Sequence, residues 1–295
     1  MLSILIPTYN YNCYQLVAEL RRQAMEAGIV FEVIVADDGS MECHKTANRA
    51  INDLSYCRYV ERTENVGRSR VRNYLAQCAH YDYLLFMDSD AVVVKDDFIR
   101  CYVGACTPGV VLYGGIDLPK ALPSAEYSLA YRYEHRALRG QTQAERSRHP
   151  YRVFRTFNFL APRAVVMQHP FDEHIRGYGH EDTLFGLGLR QAGITVRHID
   201  NALQNGGLDK NDEVLRKTEE SLHTLYTLRA ELATVSPLLR MYRWVERLHL
   251  CAVLNAMFVI CRQPMRGNLL GVHPFLWCFA LYKLGYYAHI VRSHQ

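Results

Sequence analysis

Residues 83–94, YLLFMDSDAVVV, place two carboxylates, Asp88 and Asp90, one residue apart at the end of an apolar run. Taking such a pair out of water costs several kcal/mol unless positive charge meets it. An Asp-x-Asp at a strand exit suits a hard divalent cation. Mg2+ and Mn2+ take carboxylate oxygens and complete their shells with water and substrate phosphates. Such a metal would offset both aspartates and hold a diphosphate. The plainer reading is a polar strand-to-loop junction, and the motif alone leaves both open. A second acidic pair, Glu181 and Asp182 in GYGHEDTLFG, falls where a helix should begin. Acids in a first turn are stabilised by about 0.3–1 kcal/mol, a role that does not exclude taking up a proton. A third pair, Asp37 and Asp38 in VIVADDGS, suits either ligand binding or an Asx-type turn with Gly39.

These groups need elements to carry them. LSILIPT reads as a first strand, 12–27 as a helix, FEVIVADDGS as a strand ending in an acidic turn, and 43–54 as a helix. CRYVER is a short strand, NVGRSRVRNYLAQCA a loop entering a helix, YDYLLFMDSD a strand, 95–105 a helix and GVVLYGG a strand. Strands alternating with helices of this length imply a parallel sheet covered on both faces. Ligands in such sheets bind beyond the carboxyl ends of the strands. Thr8, Asp37, Asp38, Asp88 and Asp90 all follow the apolar part of a strand, so they are expected along one edge, facing a cleft. Residues 117–156 depart from this rhythm and are rich in Arg and Tyr. A strand-like TFNFLAPRAVV, a helix from about Glu181 to Ala192, a strand ITVRHI and a polar helix over 211–234 follow. Pro237 marks the next expected boundary.

The chain has 295 residues, 49% of them hydrophobic, enough for a sizeable core and against disorder. Nine scattered cysteines without CxxC spacing point to reduced thiols rather than to a zinc site or a disulfide framework. The N-terminus lacks the basic region and cleavage site of a signal peptide. The net charge is +4, but from Arg229 onward eight Lys or Arg stand against two Asp or Glu, leaving the first 228 residues at −2. A basic tail on a near-neutral body suggests an anionic surface as neighbour. No apolar stretch reaches the roughly 18–20 residues of a membrane-spanning helix.

SILIPTYN, VIVADDGS, NVGRSRVRN, LLFMDSD and GYGHEDTLFGLGLRQAG, in this order, resemble the family-two glycosyltransferases. The wording of TFNFLAPR and GYGHEDTLFG is similar to bacterial members that build surface polysaccharides. The resemblance implies an α/β, GT-A-like fold: a Rossmann-related mixed sheet flanked by helices, plus a C-terminal helical extension. It implies a glycosyltransferase domain over 1–236, with a nucleotide-sugar half (1–116) and an acceptor half (117–236), and an amphipathic tail over 237–295. Pro7, Thr8 and Tyr9 would line the nucleotide pocket, and Asp37 or Asp38 would bond the base or ribose. Gly67 would open a helix beside the nucleotide, with Arg68 and Arg72 available to phosphate or base. Asp88 and Ser89 would meet the sugar or ribose, and Asp90, with Asp88, would hold Mn2+ or Mg2+. Where relatives carry a late metal-binding His, IDNALQNGGLD has Asn205; Asp209 or water are the alternatives, and His198 reads better as a hydrogen-bonded core residue. Asp182 would be the base, kept charged by its place at a helix start, and Glu181 would bind the acceptor. Asn158 and Phe159 would wall the cleft, and 121–155 would shape acceptor entry.

The implied reaction moves a hexosyl or N-acetylhexosaminyl group, with inversion, from a nucleotide-diphospho-sugar to a hydroxyl of a glycan or lipid-linked acceptor. No nucleic-acid partner is expected. The tail either packs on the catalytic domain or, as its composition favours, lies on a membrane with Arg240, Arg243, Arg247, Arg262 and Arg266 near anionic headgroups. The expected location is the cytoplasm, peripheral on the inner membrane face if the tail binds lipid. Two rivals remain. DSDAVV also fits the motif of haloacid-dehalogenase-type phosphatases, with Asp88 as nucleophile, although that motif belongs on a first strand with a downstream Lys. The other rival is a catalytically inactive nucleotide-sugar-binding protein on the same fold.

Overall fold

In a computed structural model, residues 1–175 and 177–294 are described. The chain forms two compact units, Met1–Pro119 with Gly140–Arg176 and Glu181–Gly207, and Lys120–Arg139 with Gly177–His180 and Leu208–Gln295.

The first unit is built on a seven-stranded sheet in the order β3-β2-β1-β4-β8-β6-β9. These are β1 (Leu2–Thr8), β2 (Phe31–Asp37), β3 (Cys57–Glu61), β4 (Tyr83–Met87), β6 (Val111–Tyr113), β8 (Asn158–Pro162) and β9 (Val196–His198). Strands β3, β2, β1 and β4 run parallel. β8 runs antiparallel between β4 and β6, so the sheet is mixed. The central strands carry almost unbroken apolar runs because both their faces are covered. Helices α1 (Tyr14–Glu26), α2 (Glu42–Arg49), α3 (Arg68–Cys78) and α4 (Phe98–Ala105) fill the early crossovers. A small sheet joins β5 (Ala91–Val92), β10 (Leu203–Asn205) and β7 (Ile116–Asp117).

Two apolar layers hold the unit. One packs α1 and α4 on a sheet face through Leu16, Val17, Leu20, Phe98 and Tyr102. The other is aromatic and joins α3, α7 (Arg163–Gln168) and α8 (Glu181–Gln191) to the opposite face. Phe86 of β4 stacks on Phe159 of β8 at 4.9 Å. Phe171 stacks on Phe185 of α8 at 4.3 Å and meets Phe86 edge-on at 6.2 Å. Rings at such spacings add about 0.5–1.5 kcal/mol per pair beyond area burial. This wedge ties the start of α8 to the strand that delivers Asp88.

The second unit is helical: α5 (Ser128–Leu138), α9 (Asn211–Thr227), α10 (Pro237–Arg247), α11 (Cys251–Leu270) and α12 (Leu276–Ser293). Ser236 caps α10 by accepting from the Leu239 N–H, with Pro237 in the first turn. Contacts therefore group the chain differently from the division at 236 and 237, because Leu215 of α9 shares a core with Phe258, Phe279 and Tyr282. Arg262 and Arg266 do not face outward as expected. Both turn to Glu219 of α9, at 3.8 and 2.7 Å. α6 (Gln143–Arg148), in the first unit, is short and capped by Thr142.

Candidate active site

The parallel register aligns Thr8 at the end of β1 with Asp37 at the end of β2, and β4 ends at Met87, one residue before Asp88. The strand-exit groups therefore reach one edge, as the alternation of elements implied. Their side chains do different things there.

Asp37 has no exposed surface. Its carboxylate accepts from the Tyr59 hydroxyl at 2.9 Å and from the Ser40 N–H at 2.8 Å. Asp38, also buried, accepts from the N–H groups of Val66 and Gly67 at 3.0 and 2.9 Å. Burial raises its pKa, partly offset by those two N–H groups. Of these two, one of which was expected to bond a base or ribose, Asp37 closes its own turn and Asp38 pins the entry to α3. Gly67, at that entry, has φ +89° and ψ 164°, a region open almost only to glycine. Thr8 is buried, with its hydroxyl donating to the Tyr11 carbonyl at 3.3 Å, while Pro7 is half-buried and Tyr9 exposed.

Asp88 answers the question of compensating charge. Arg68 Nη2 donates to its Oδ2 at 2.8 Å and Arg72 Nη2 to its Oδ1 at 2.6 Å. The same two guanidiniums reach Glu181 Oε1, Arg68 through Nε at 3.1 Å and Arg72 through Nη1 at 3.8 Å. Two carboxylates from distant parts of the chain thus share two arginines. The arginines stand four residues apart on α3, which puts both on one face. Arg72 was expected to serve phosphate or base, yet its side chain is only 1% exposed and lies over the Phe171 ring at 5.7 Å. Arg68, 42% exposed, remains at the surface of the cluster. Asp88, expected with Asp90 to hold the metal, has both carboxylate oxygens accepting from these guanidiniums.

Asp90 sits one turn beyond, with Ser89, both half-buried. Its carbonyl accepts from the Gly206 N–H at 2.9 Å, and β10 pairs with β5 so that Asn205 opposes Ala91. Its carboxylate fills the space above Gly207, where a Cβ would come within 2.2 Å of Oδ2. Asn205 Oδ1 accepts from the Gly207 N–H at 2.9 Å. Among the described residues no group of three or more His, Cys, Asp and Glu could hold a metal ion. The protein donors near one another here are the Asp90 carboxylate and the Asn205 amide oxygen. A set of one carboxylate plus one neutral oxygen fits Mg2+ or Mn2+, which ordinarily retain waters and take substrate phosphates. Asp209, in the second unit, is bound by Lys217 at 2.7 and 2.9 Å. His198 is buried, accepts from Arg146 Nε at Nδ1 (3.4 Å) and bonds the Pro150 carbonyl through Nε2 (2.9 Å). Burial lowers its pKa, as suits a neutral core imidazole.

Asp182 follows Glu181 into the first turn of α8, and its Oδ1 accepts from the Thr183 N–H at 2.7 Å. A helix start was expected to keep it an ordinary, fully charged acid. Instead its pKa is raised, first by burial and then by the neighbouring Glu181 charge, against the opposing pull of Arg155, the Thr183 N–H and Arg68. Asn158, expected at the cleft wall, is fully buried. It accepts from the Tyr102 hydroxyl at 2.7 Å and donates to the carbonyls of Gly115 and Asn201. Phe159 is likewise buried, in the aromatic layer. Tyr11, which no local motif singles out, has its pKa raised by burial and by the charge of Asp90.

The family profile described as Glycosyl transferase family 2 matches residues 3–166, more than half of the sequence. The chain belongs to glycosyl transferase family 2. No curated protein matches it. Among solved structures it is similar to the mannosyltransferase PcManGT from Pyrobaculum calidifontis, in complex with GDP-Man and Mn2+. There the identity is 16%, the coverage 99% of this chain and 86% of that one, and the TM-score 0.59. It is also similar to glucosyl-3-phosphoglycerate synthase from Mycobacterium tuberculosis, in complex with Mn2+, UDP and glucosyl-3-phosphoglycerate, at 19% identity, covering 77% and 79% of the two chains with TM-score 0.50. S. aureus TarS aligns at 16% identity over 100% of this chain and 55% of that one, TM-score 0.51. This family-two chain thus has the GT-A fold, with the mixed sheet and helical C-terminal part that its motifs implied.

Proposed function

We propose that this family-two enzyme transfers a hexosyl or N-acetylhexosaminyl group from a nucleotide-diphospho-sugar to a hydroxyl of a glycan or lipid-linked acceptor, in surface polysaccharide synthesis. The observation that carries the reading is the meeting of Asp88, from a strand exit, with Glu181, from a helix start, on Arg68, whose charge also acts on the neighbouring Asp182. It brings a donor-side acid and a candidate base into one neighbourhood. In this reading the nucleotide half is 1–116, and the diphosphate lies at the Gly67 entry to α3, where a helix N-terminus and the exposed Arg68 favour an anion. Pro7, Thr8, Tyr9 and Ser89 line the nucleotide side. Asp90 and Asn205 would hold Mn2+ or Mg2+, which when bound offsets the negative charge growing on the departing diphosphate. The GDP-Man and Mn2+ bound by the similar mannosyltransferase support this donor class and cofactor.

Asp182 takes the proton of the acceptor hydroxyl as its oxygen bonds to the anomeric carbon from the face opposite the leaving group. The bond from that carbon to the diphosphate oxygen breaks with its electron pair, the nucleoside diphosphate departs, and the centre inverts. A pKa raised by burial strengthens Asp182 as a base at neutral pH. Glu181, held by Arg68, orients the acceptor. The reading extends to location: the acceptor is met at the cytoplasmic membrane face, with the C-terminal tail on anionic lipid. A phosphatase using Asp88 as nucleophile is less well supported, since both its oxygens accept from guanidiniums.

Incubation with UDP-, GDP- and dTDP-sugars and Mn2+ should release one nucleoside diphosphate, faster with acceptor present. Asp90→Ala should remove the metal dependence. Metal-dependent nucleotide binding with no turnover of any sugar would instead mark the inactive rival, and phosphatase activity sensitive to fluoroaluminate would mark the other.

A further inference from the structure

Helix α11 is apolar on both sides: Phe258 and Leu269 are buried in the core, yet its other side is not charged. A surface helix ordinarily turns its charges outward and its apolar stripe inward. Here Arg262 and Arg266 point inward to Glu219, and Arg266 also donates to the Tyr282 hydroxyl at 3.1 Å. The outward side carries Val253, Met257, Val259 and Ile260, the last 77% exposed, and residues 251–261 hold no charge at all. Helix α10 adds a complementary pattern. Leu239 and Tyr242 are buried, while Met241, Trp244 and Leu248, three and four residues apart, form an exposed apolar stripe. Arg240, Arg243 and Arg247 form an exposed basic stripe roughly a quarter-turn away. Glu246 is the one acid in 237–270.

Both tryptophans of the chain are exposed: Trp244, in the α10 stripe, by 62%, and Trp277, at the start of α12 and stacked on Phe275 at 5.9 Å, by 64%. Tryptophan and arginine bordering an apolar face is the composition of a bilayer interface, where the ring sits at headgroup level and the cation meets lipid phosphate. Among the described residues no single helix is long and apolar enough to cross a membrane, although α10 and α11 together are, and these two meet at 117°. That bend suits two helices lying along one leaflet.

We infer that α10 and α11 form an interfacial seat on an anionic bilayer, with the outward side of α11 and the Met241–Trp244–Leu248 stripe against acyl chains and Arg240 and Arg247 on lipid phosphates. This deepens the membrane reading of the tail and rests on it, while the transfer chemistry stands apart from it.

Because Trp244 lies in the α10 stripe and is one of the two tryptophans of the chain, intrinsic emission reports on this surface. The full chain, mixed with vesicles of phosphatidylcholine and phosphatidylglycerol in equal parts, should float with them and shift its emission to the blue. Binding to phosphatidylcholine alone should be about tenfold weaker or less. Met257→Asp with Ile260→Asp should abolish flotation on both vesicles. Arg240→Glu with Arg247→Glu should remove only the preference for the anionic one. Both double variants alter exposed side chains, so their thermal unfolding and their release of nucleotide with a soluble acceptor should match the parent. Absence of flotation on either vesicle overturns the inference while leaving the transferase reading intact. A lipid-free dimer with blue-shifted emission, seen by light scattering, overturns it too, since a second copy would then cover the face.

Discussion

Asp182 and Arg72 show how surroundings set the charge behaviour on which the proposed reaction rests. Asp182 has its pKa raised above that of an exposed aspartate by burial and by Glu181. The folded protein therefore holds its proton more tightly than the unfolded chain does. Ionising Asp182 costs stability as pH climbs past the usual aspartate range, and the cost is fully present above the folded pKa. Asp182→Asn should then melt higher than the parent at neutral pH, with the gap closing as pH falls into the acid range, when followed by calorimetry. The same substitution should lower transfer by about 10²–10⁴-fold. The acid limb of the parent's kcat/KM profile should lie above the ordinary aspartate pKa, and a limb at or below it would contradict the assignment. Arg72 is a buried cation between Asp88 and Glu181. Arg72→Met should cost about 3–5 kcal/mol in urea unfolding, because it strands buried charge. Arg68→Met, at an exposed position, should cost far less.

Among the elements, two glycines separate backbone need from spatial need. Gly67→Ala meets open space but keeps a glycine-only conformation, so it should lose about 1–3 kcal/mol of stability. Gly207→Ala drives a Cβ into the Asp90 carboxylate, so it should weaken the Mn2+ effect on nucleotide binding, read by titration calorimetry. Phe171→Ala should cost about 3–5 kcal/mol and loosen α8 from the Asp88 strand. The order of elements was legible in the sequence, because apolar runs ending in Pro, Gly or Asp announce strands and their exits. The antiparallel insertion of β8 was not, since FNFLAP is equally apolar in either direction. The one-edge gathering of Thr8, Asp37 and Asp88 followed from strand alternation. What each carboxylate touches did not, because Tyr59, Val66 and Gly67 reach Asp37 and Asp38 from other parts of the chain. The i, i+4 spacing of Arg68 and Arg72 could have shown that they act together. The inward turn of Arg262 and Arg266 depends on Glu219, whose placement no local pattern reveals.

For the molecule as a whole, family membership and the GT-A fold set the class of chemistry, and the proposed place for it is the charged cluster at the strand exits. A chain with these features should recognise a nucleoside diphosphate and do so better with a divalent cation. A ligand at about 100 times its Kd stabilises the folded state by about 2.7 kcal/mol, well within reach of a melting experiment. The most direct measurement is therefore the Tm of the parent and of Asp90→Ala against UDP, GDP and dTDP, with and without Mn2+. At least one diphosphate should raise the parent's Tm, and raise it further with Mn2+, while Asp90→Ala should lose that further rise. No shift of the parent with any of the three, in either condition, would contradict the account.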